Sequence, residues 1–129
     1  MVADPNAARR VLVVDAANVV GSVPDGWWRD RRGATERLRD ALEPVAVTGL
    51  AGLAGPLHVV LVAEGRARGV HPTEGVEVID ASGSGDDAIV DVVRGNPDAA
   101  VTVVTADREL RRRVGELGAS VLGPSAVPR

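Results

Sequence analysis

Apolar, β-branched stretches recur along the chain, and polar segments with helical spacing stand between them. Residues 11–14 (VLVV), 57–63 (LHVVLVA), 76–79 (VEVI) and 101–104 (VTVV) carry the strand pattern, with a last short one at 119–122. An unbroken run such as VLVV reads as a strand buried on both faces, the habit of a parallel sheet covered by helices. A helix is predicted from near Gly33, with Leu38, Ala41 and Leu42 at helical spacing. Pro44 either kinks that helix or restarts it, and a second piece over 45–53 ends in a glycine-rich turn at 52–56. Further helices are expected from Asp86 to about Arg94, broken by Asn96-Pro97, and from Asp107 to about Leu117, where Gly118 is a natural C′ residue. The segments NVVGSVPDGWWRDRRGA, GRARGVHPTEG and DASGSG read as loops, the second one exposed and basic.

Strands alternating with helices predict an α/β protein: a three-layer α/β/α sandwich with a mostly parallel central sheet and right-handed crossovers. We expect the 11–14 strand to be central, with the 101–104 strand beside it. Residues 1–10 read as a flexible arm, 11–123 as the single domain and 124–129 as a frayed tail. At 129 residues, such a domain buries about 68% of its unfolded surface.

Composition narrows the chemistry. All fifteen basic residues are arginine, so a mechanism that needs lysine is excluded. With no cysteine, disulfides, thiolate metal sites and cysteine nucleophiles are excluded as well. No stretch has the form of a signal peptide or approaches the roughly 18 apolar residues of a membrane span, so a soluble cytoplasmic domain is expected. The net charge of −3 gives no global attraction to nucleic acid; binding would need a local basic patch.

Acidic residues follow the strands one after another. Asp15 ends the first, Glu64 the second, Asp86 and Asp87 come after the third strand's loop, and Asp107 follows the fourth. In a parallel sheet these positions share one edge, which is where open α/β sheets bind ligands. Carboxylates gathered there repel one another. A divalent cation relieves that repulsion, and Mg²⁺ or Mn²⁺ prefers oxygen ligands. Such a site activates water and steadies the oxygens of an in-line phosphoryl displacement. Helix capping is the competing account for Asp86, Asp87 and Asp107, since Asp is favoured at N-caps; it does not explain Asp15 or Glu64.

Three blocks, VVDAANVVG, SGDDAIVD and VVTADREL, together resemble the signature blocks of the PIN-like NYN domains, including their YacP-like branch. These domains are metal-dependent ribonucleases or their relatives. The resemblance implies a PIN-like fold, with Asp15, Asp86 or Asp87, and Asp107 as metal-binding carboxylates. Asn18 matches the family's asparagine and would orient a phosphate or a water. Glu64 stands where many relatives have Asp, and Ala17 replaces the tyrosine expected before Asn18.

Arginines flank the acidic edge. Arg31, Arg66, Arg68 and Arg108 lie in loops at strand ends and are candidates to track an RNA backbone. Arg111, Arg112 and Arg113 read as a solvated helix surface. Of the two aromatics in the chain, Trp27 and Trp28, at least one is expected to cover the small-residue core, with which one left open, and Trp28 is the candidate to stack a base of single-stranded RNA. His58, inside a strand, reads as structural. The function these features favour is RNA phosphodiester hydrolysis with Mg²⁺ or Mn²⁺; the alternative is a non-catalytic RNA- or nucleotide-binding module. Domains this small often pair as homodimers, although no interface stripe stands out.

Overall fold

The computed structural model describes residues 9–128. In chain order, β1 (Arg10–Asp15) leads directly into a short helix α1 (Ala16–Val20), and a 3₁₀ turn at Trp27–Arg29 precedes α2 (Arg31–Thr48). A small hairpin, β2 (Gly49–Leu50) and β3 (Leu53–Ala54), then delivers the chain to β4 (His58–Ala63). Next come β5 (Val76–Asp80), α3 (Gly85–Arg94), β6 (Ala100–Val104), α4 (Arg108–Glu116) and β7 (Ser120–Leu122). The five long-range strands form one parallel sheet in the order β5-β4-β1-β6-β7. The expected α/β/α sandwich is therefore present, with β1 central and β6 beside it.

Side-chain alternation divides the core in two. Leu12 and Val14 of β1 and Val59 and Leu61 of β4 pack with α1 and the buried stripe of α2, namely Leu38, Leu42, Val45 and Ala46. Val11, Val13, Val60 and Val62 face the other way, against Ile89, Val90 and Val93 of α3 and Leu110 and Val114 of α4. A sheet clad on both sides needs apolar residues at every position, which is why VLVV does not alternate. No helix among the described residues is long and apolar enough to cross a membrane.

Several local expectations are corrected. The helix expected to kink or restart at Pro44 continues from Arg31 to Thr48. Pro44 lacks one donor, but its neighbours Leu42, Val45 and Ala46 are buried, and that packing carries the helix past the missing bond. Only the start of the expected 45–53 piece is helical; the rest is the hairpin. The loop expected after the first strand begins with α1 instead. His58 is exposed at the start of β4 and meets Glu77 at 2.8 Å across the β4–β5 pair, so it is not a core residue. Arg10, assigned to the arm, opens β1, while residues 1–8 lie outside the described residues. The end of the chain does not fray throughout: Val127, 4% exposed, packs into the core beneath α1 and α2.

Candidate functional site at the carboxyl edge of the sheet

A turn from strand to helix builds the centre of the site. Asp15 is the last residue of β1 and the N-cap of α1, accepting the Asn18 N–H at 3.3 Å on Oδ1. Its Oδ2 accepts the Thr105 hydroxyl at 2.9 Å. Thr105 follows β6 and is fully buried, so the two central strands are tied together by their side chains exactly where they leave the sheet's edge. Asn18 closes the same junction from the other side, its Oδ1 accepting the Ala106 N–H at 2.8 Å. The Thr105 hydroxyl also accepts the Asp107 N–H at 3.2 Å. Asp107 in turn caps α4 through Leu110 N–H at 2.9 Å.

The second group rides on α3. Ser84, not Asp86 or Asp87, is the N-cap, accepting the Asp87 N–H at 3.2 Å. Both aspartates thus sit in the first helical turn, where the macrodipole favours negative charge. Glu64, after β4, accepts the Gly85 N–H at 2.7 Å. A Cβ at Gly85 would come within 3.3 Å of the Glu64 carboxyl carbon, so the glycine permits this close approach. Asp87 is exposed and pairs with Arg113 of α4 at 3.0 Å.

Electrostatics bind the two groups into one field. Burial raises the Asp15 carboxyl above its ordinary range; the bonds from Thr105 and Asn18 oppose this, and the charges of Asp86 and Glu64 add to it. Asp86 is raised too, first by burial and then by Asp107 and Glu64, with Arg113 opposing and Asp87 adding. Capping therefore accounts for Asp15 and Asp107 but not for the accumulation of charge around them. Among the described residues no three acidic or imidazole side chains converge on one point. The donor set nevertheless fits a hard cation: it is all oxygen, it is mutually repelling, and Mg²⁺ commonly binds through one or two carboxylates and keeps several waters.

The remaining predicted residues fall around this centre. Arg31 lines a pocket of about 320 Å³ together with Glu64, Gly65 and Trp27. Arg66 and Arg68 line a neighbouring cleft of about 390 Å³ with Arg32, Gly69 and Asp80. Arg108 is exposed at the first turn of α4, next to Asp107. Trp28, 51% exposed, does not line the pocket; Trp27 does, and it is half-buried. Sequence reasoning missed Thr105 and Ser84 as holding residues. A hydroxyl at each strand or loop end, two residues before an aspartate (Thr105 and Asp107, Ser84 and Asp86), was the available signal.

No family model matches the chain, and no curated protein matches it. Among solved structures it is similar to Rae1 (YacP) from Bacillus subtilis, with TM-score 0.73 and 21% identity over 90% of this chain and 70% of that one. A tryptophan-to-leucine mutant of the same Bacillus subtilis protein gives TM-score 0.71 and 20% identity, covering 91% of this chain and 71% of the other. The chain shares its α/β fold with a YacP protein.

Proposed function

We propose that this domain is a metal-dependent ribonuclease of the cytoplasm, hydrolysing RNA phosphodiester bonds at the carboxyl ends of β1 and β6. One observation carries the reading: the Asp15 carboxyl, 6% exposed, ends the central strand at the sheet's edge beside Thr105, where burial first, and then the charges of Asp86 and Glu64, disfavour its ionised form. An arrangement that costs stability in the cation-free protein is explained by a cation that offsets it. One or two of Asp15, Glu64, Asp86 and Asp107 would hold Mg²⁺ or Mn²⁺, with waters completing its shell and Asp87 at the outer margin. The cation, when bound, supplies positive charge for the phosphoryl oxygens and makes water a competent nucleophile near neutral pH.

The chain's own residues set the rest of the chemistry. Thr105 fixes the Asp15 carboxylate, and the Ala106 N–H fixes Asn18 so that its amide nitrogen is left to donate to a phosphate oxygen. Asp107 is exposed beside them, with Oδ1 occupied by the Leu110 N–H; its other oxygen takes a proton from the attacking water and passes it to the ribose oxygen that leaves as its bond to phosphorus breaks. Arg31, Arg66, Arg68 and Arg108 attract the phosphate backbone.

A non-catalytic RNA-binding module of the same fold has one observation in its favour: both Asp15 oxygens and one of Asp107 already accept hydrogen bonds within the protein. Titrating Mn²⁺ and Mg²⁺ into the wild type and Asp15→Asn, with thermal stability as the readout, separates the two. The nuclease reading expects saturable stabilisation of the wild type, reaching about 2.7 kcal/mol at a hundred times Kd, and none in the variant. Identical responses in both proteins would leave the binding module standing.

A further inference from the structure

The pocket beside the acidic edge has a composition the carboxylates do not explain. Small apolar residues, Ala17, Val20 and Ala67, line it together with Trp27, Arg31, Thr35 and Glu64. At about 320 Å³ it is near the lower bound of small-molecule pockets, the scale of one base or nucleoside. The Arg31 guanidinium carbon lies 5.2 Å from the Trp27 ring centroid, a stacked cation–π pair. Thr35 is buried, and its hydroxyl donates to the Arg31 carbonyl at 2.9 Å, keeping its oxygen on the pocket wall able to accept.

Core packing alone is an incomplete account of Trp27. The ring does cover α1, since a Cβ at Gly21 would lie 3.7 Å from it. Yet it stays half-buried, it lines a cavity, and an arginine is stacked on it. Gly65 lines both this pocket and the Arg32, Arg66 and Arg68 cleft, so the two are neighbours. Arg68 is anchored by donating to the Gly65 carbonyl at 3.1 Å, and Arg32 donates to the Arg68 carbonyl at 3.0 Å, which holds the basic lip in place.

We propose that the Trp27–Arg31 pocket takes one unpaired nucleobase of the RNA, whose sugar–phosphate chain leaves over Gly65 into the Arg32–Arg66–Arg68 cleft. A flat aromatic and guanidinium stack, polar groups at the rim and a cationic exit are what a splayed base and its phosphates require. A base held in a duplex cannot enter, because its polar edge is already paired. The identity of the polymer as RNA rests on the ribonuclease reading; the base pocket rests on this geometry.

The chain contains two tryptophans and no tyrosine, so Trp28→Phe makes Trp27 the sole indole. That protein is titrated in EDTA with a single-stranded RNA oligonucleotide, its duplex and an abasic oligonucleotide of the same length. Saturable quenching by the single strand, and little by the other two, is expected. Trp27→Leu, shown by circular dichroism to remain folded, is expected to bind the single strand about 5- to 150-fold more weakly. Indifference of Trp27 emission to the single strand, or equal quenching by the abasic chain, overturns the pocket. Cleavage of the same oligonucleotide with Mn²⁺ is followed separately: quenching without cleavage sustains the pocket and removes the nuclease, whereas cleavage without quenching removes the pocket alone.

Discussion

Asp15 ends β1 at the centre of the sheet, and Asp80 ends β5 at its margin, both at the same edge. Each accepts backbone N–H: Asp15 from Asn18, and Asp80 from Gly69 with both oxygens at 3.2 Å. Their surroundings differ. Asp15 is 6% exposed and burial pushes its pKa up, whereas Asp80 is open to solvent in the arginine cleft. A marginal carboxylate can tie down a loop at no desolvation cost. A central one bears that cost, offset in part by the bonds from Asn18 and Thr105.

The largest expected effect breaks this comparison directly. Asp15→Asn should lower RNA cleavage on the order of 10²–10³-fold, the scale of removing one electrostatic stabiliser. Asp80→Asn, assayed alongside, should alter KM with kcat unchanged, because it touches only the backbone-binding lip. Equal losses of kcat in both variants would show that the central position is not special.

Thr105→Val probes the support beneath Asp15 with nearly the same shape. The hydroxyl makes two bonds there, to Asp15 and from the Asp107 N–H. Loss of such an orienting partner typically costs about 10–100-fold in metal affinity or activity. Cation titration and steady-state kinetics on this variant should both show it, and Thr105→Ser should recover most of the loss.

The buried carboxylate also gives a sign to the pH dependence of stability. A folded-state pKa above the unfolded value means the native protein binds more protons, so stability falls as pH rises from about 3.9 through the raised value. Thermal unfolding in EDTA should therefore show a lower Tm at pH 7 than the carboxylates of an ordinary surface would give. Asp15→Asn and Asp86→Asn should each raise Tm at pH 7, with the gain shrinking toward pH 4. Saturating Mn²⁺ should narrow the difference between wild type and Asp15→Asn.

The parts legible in the sequence were those with a repeated physical signature. VLVV and LHVVLVA announced strands clad on both faces, and their spacing announced the crossovers. The central place of β1 with β6 beside it followed, as did the shared edge of Asp15, Glu64, Asp86 and Asp107; the places of β4, β5 and β7 came only with the structure. What stayed hidden depended on tertiary contact. Pro44 hides inside a continuous helix because the buried stripe on either side outweighs one lost bond. Residues 16–20 looked like a loop since five residues show no periodicity, and the Asp15 cap became apparent only with the backbone in place. Which tryptophan meets the pocket depends on a single 3₁₀ turn, and adjacent positions in sequence could not rank Trp27 above Trp28.

The smallest effect concerns the cap of α3. Carboxylates cap α1, α2 and α4 (Asp15, Asp30 and Asp107), but the helix that carries Asp86 and Asp87 is capped by a neutral serine. Ser84→Ala should cost about 1 kcal/mol, the ordinary worth of an N-cap, and lower Tm by about 4 °C. Ser84→Asp supplies an equally good cap, so local propensity alone predicts wild-type stability. The electrostatics of this edge predict otherwise, because a further carboxylate joins Asp86, Asp87 and Glu64. In EDTA at pH 7 Ser84→Asp should melt below the wild type, and Mn²⁺ should restore it by more than it stabilises the wild type. If Ser84→Asp instead matches the wild type with and without cation, repulsion at the carboxyl edge is too weak to explain why serine stands there.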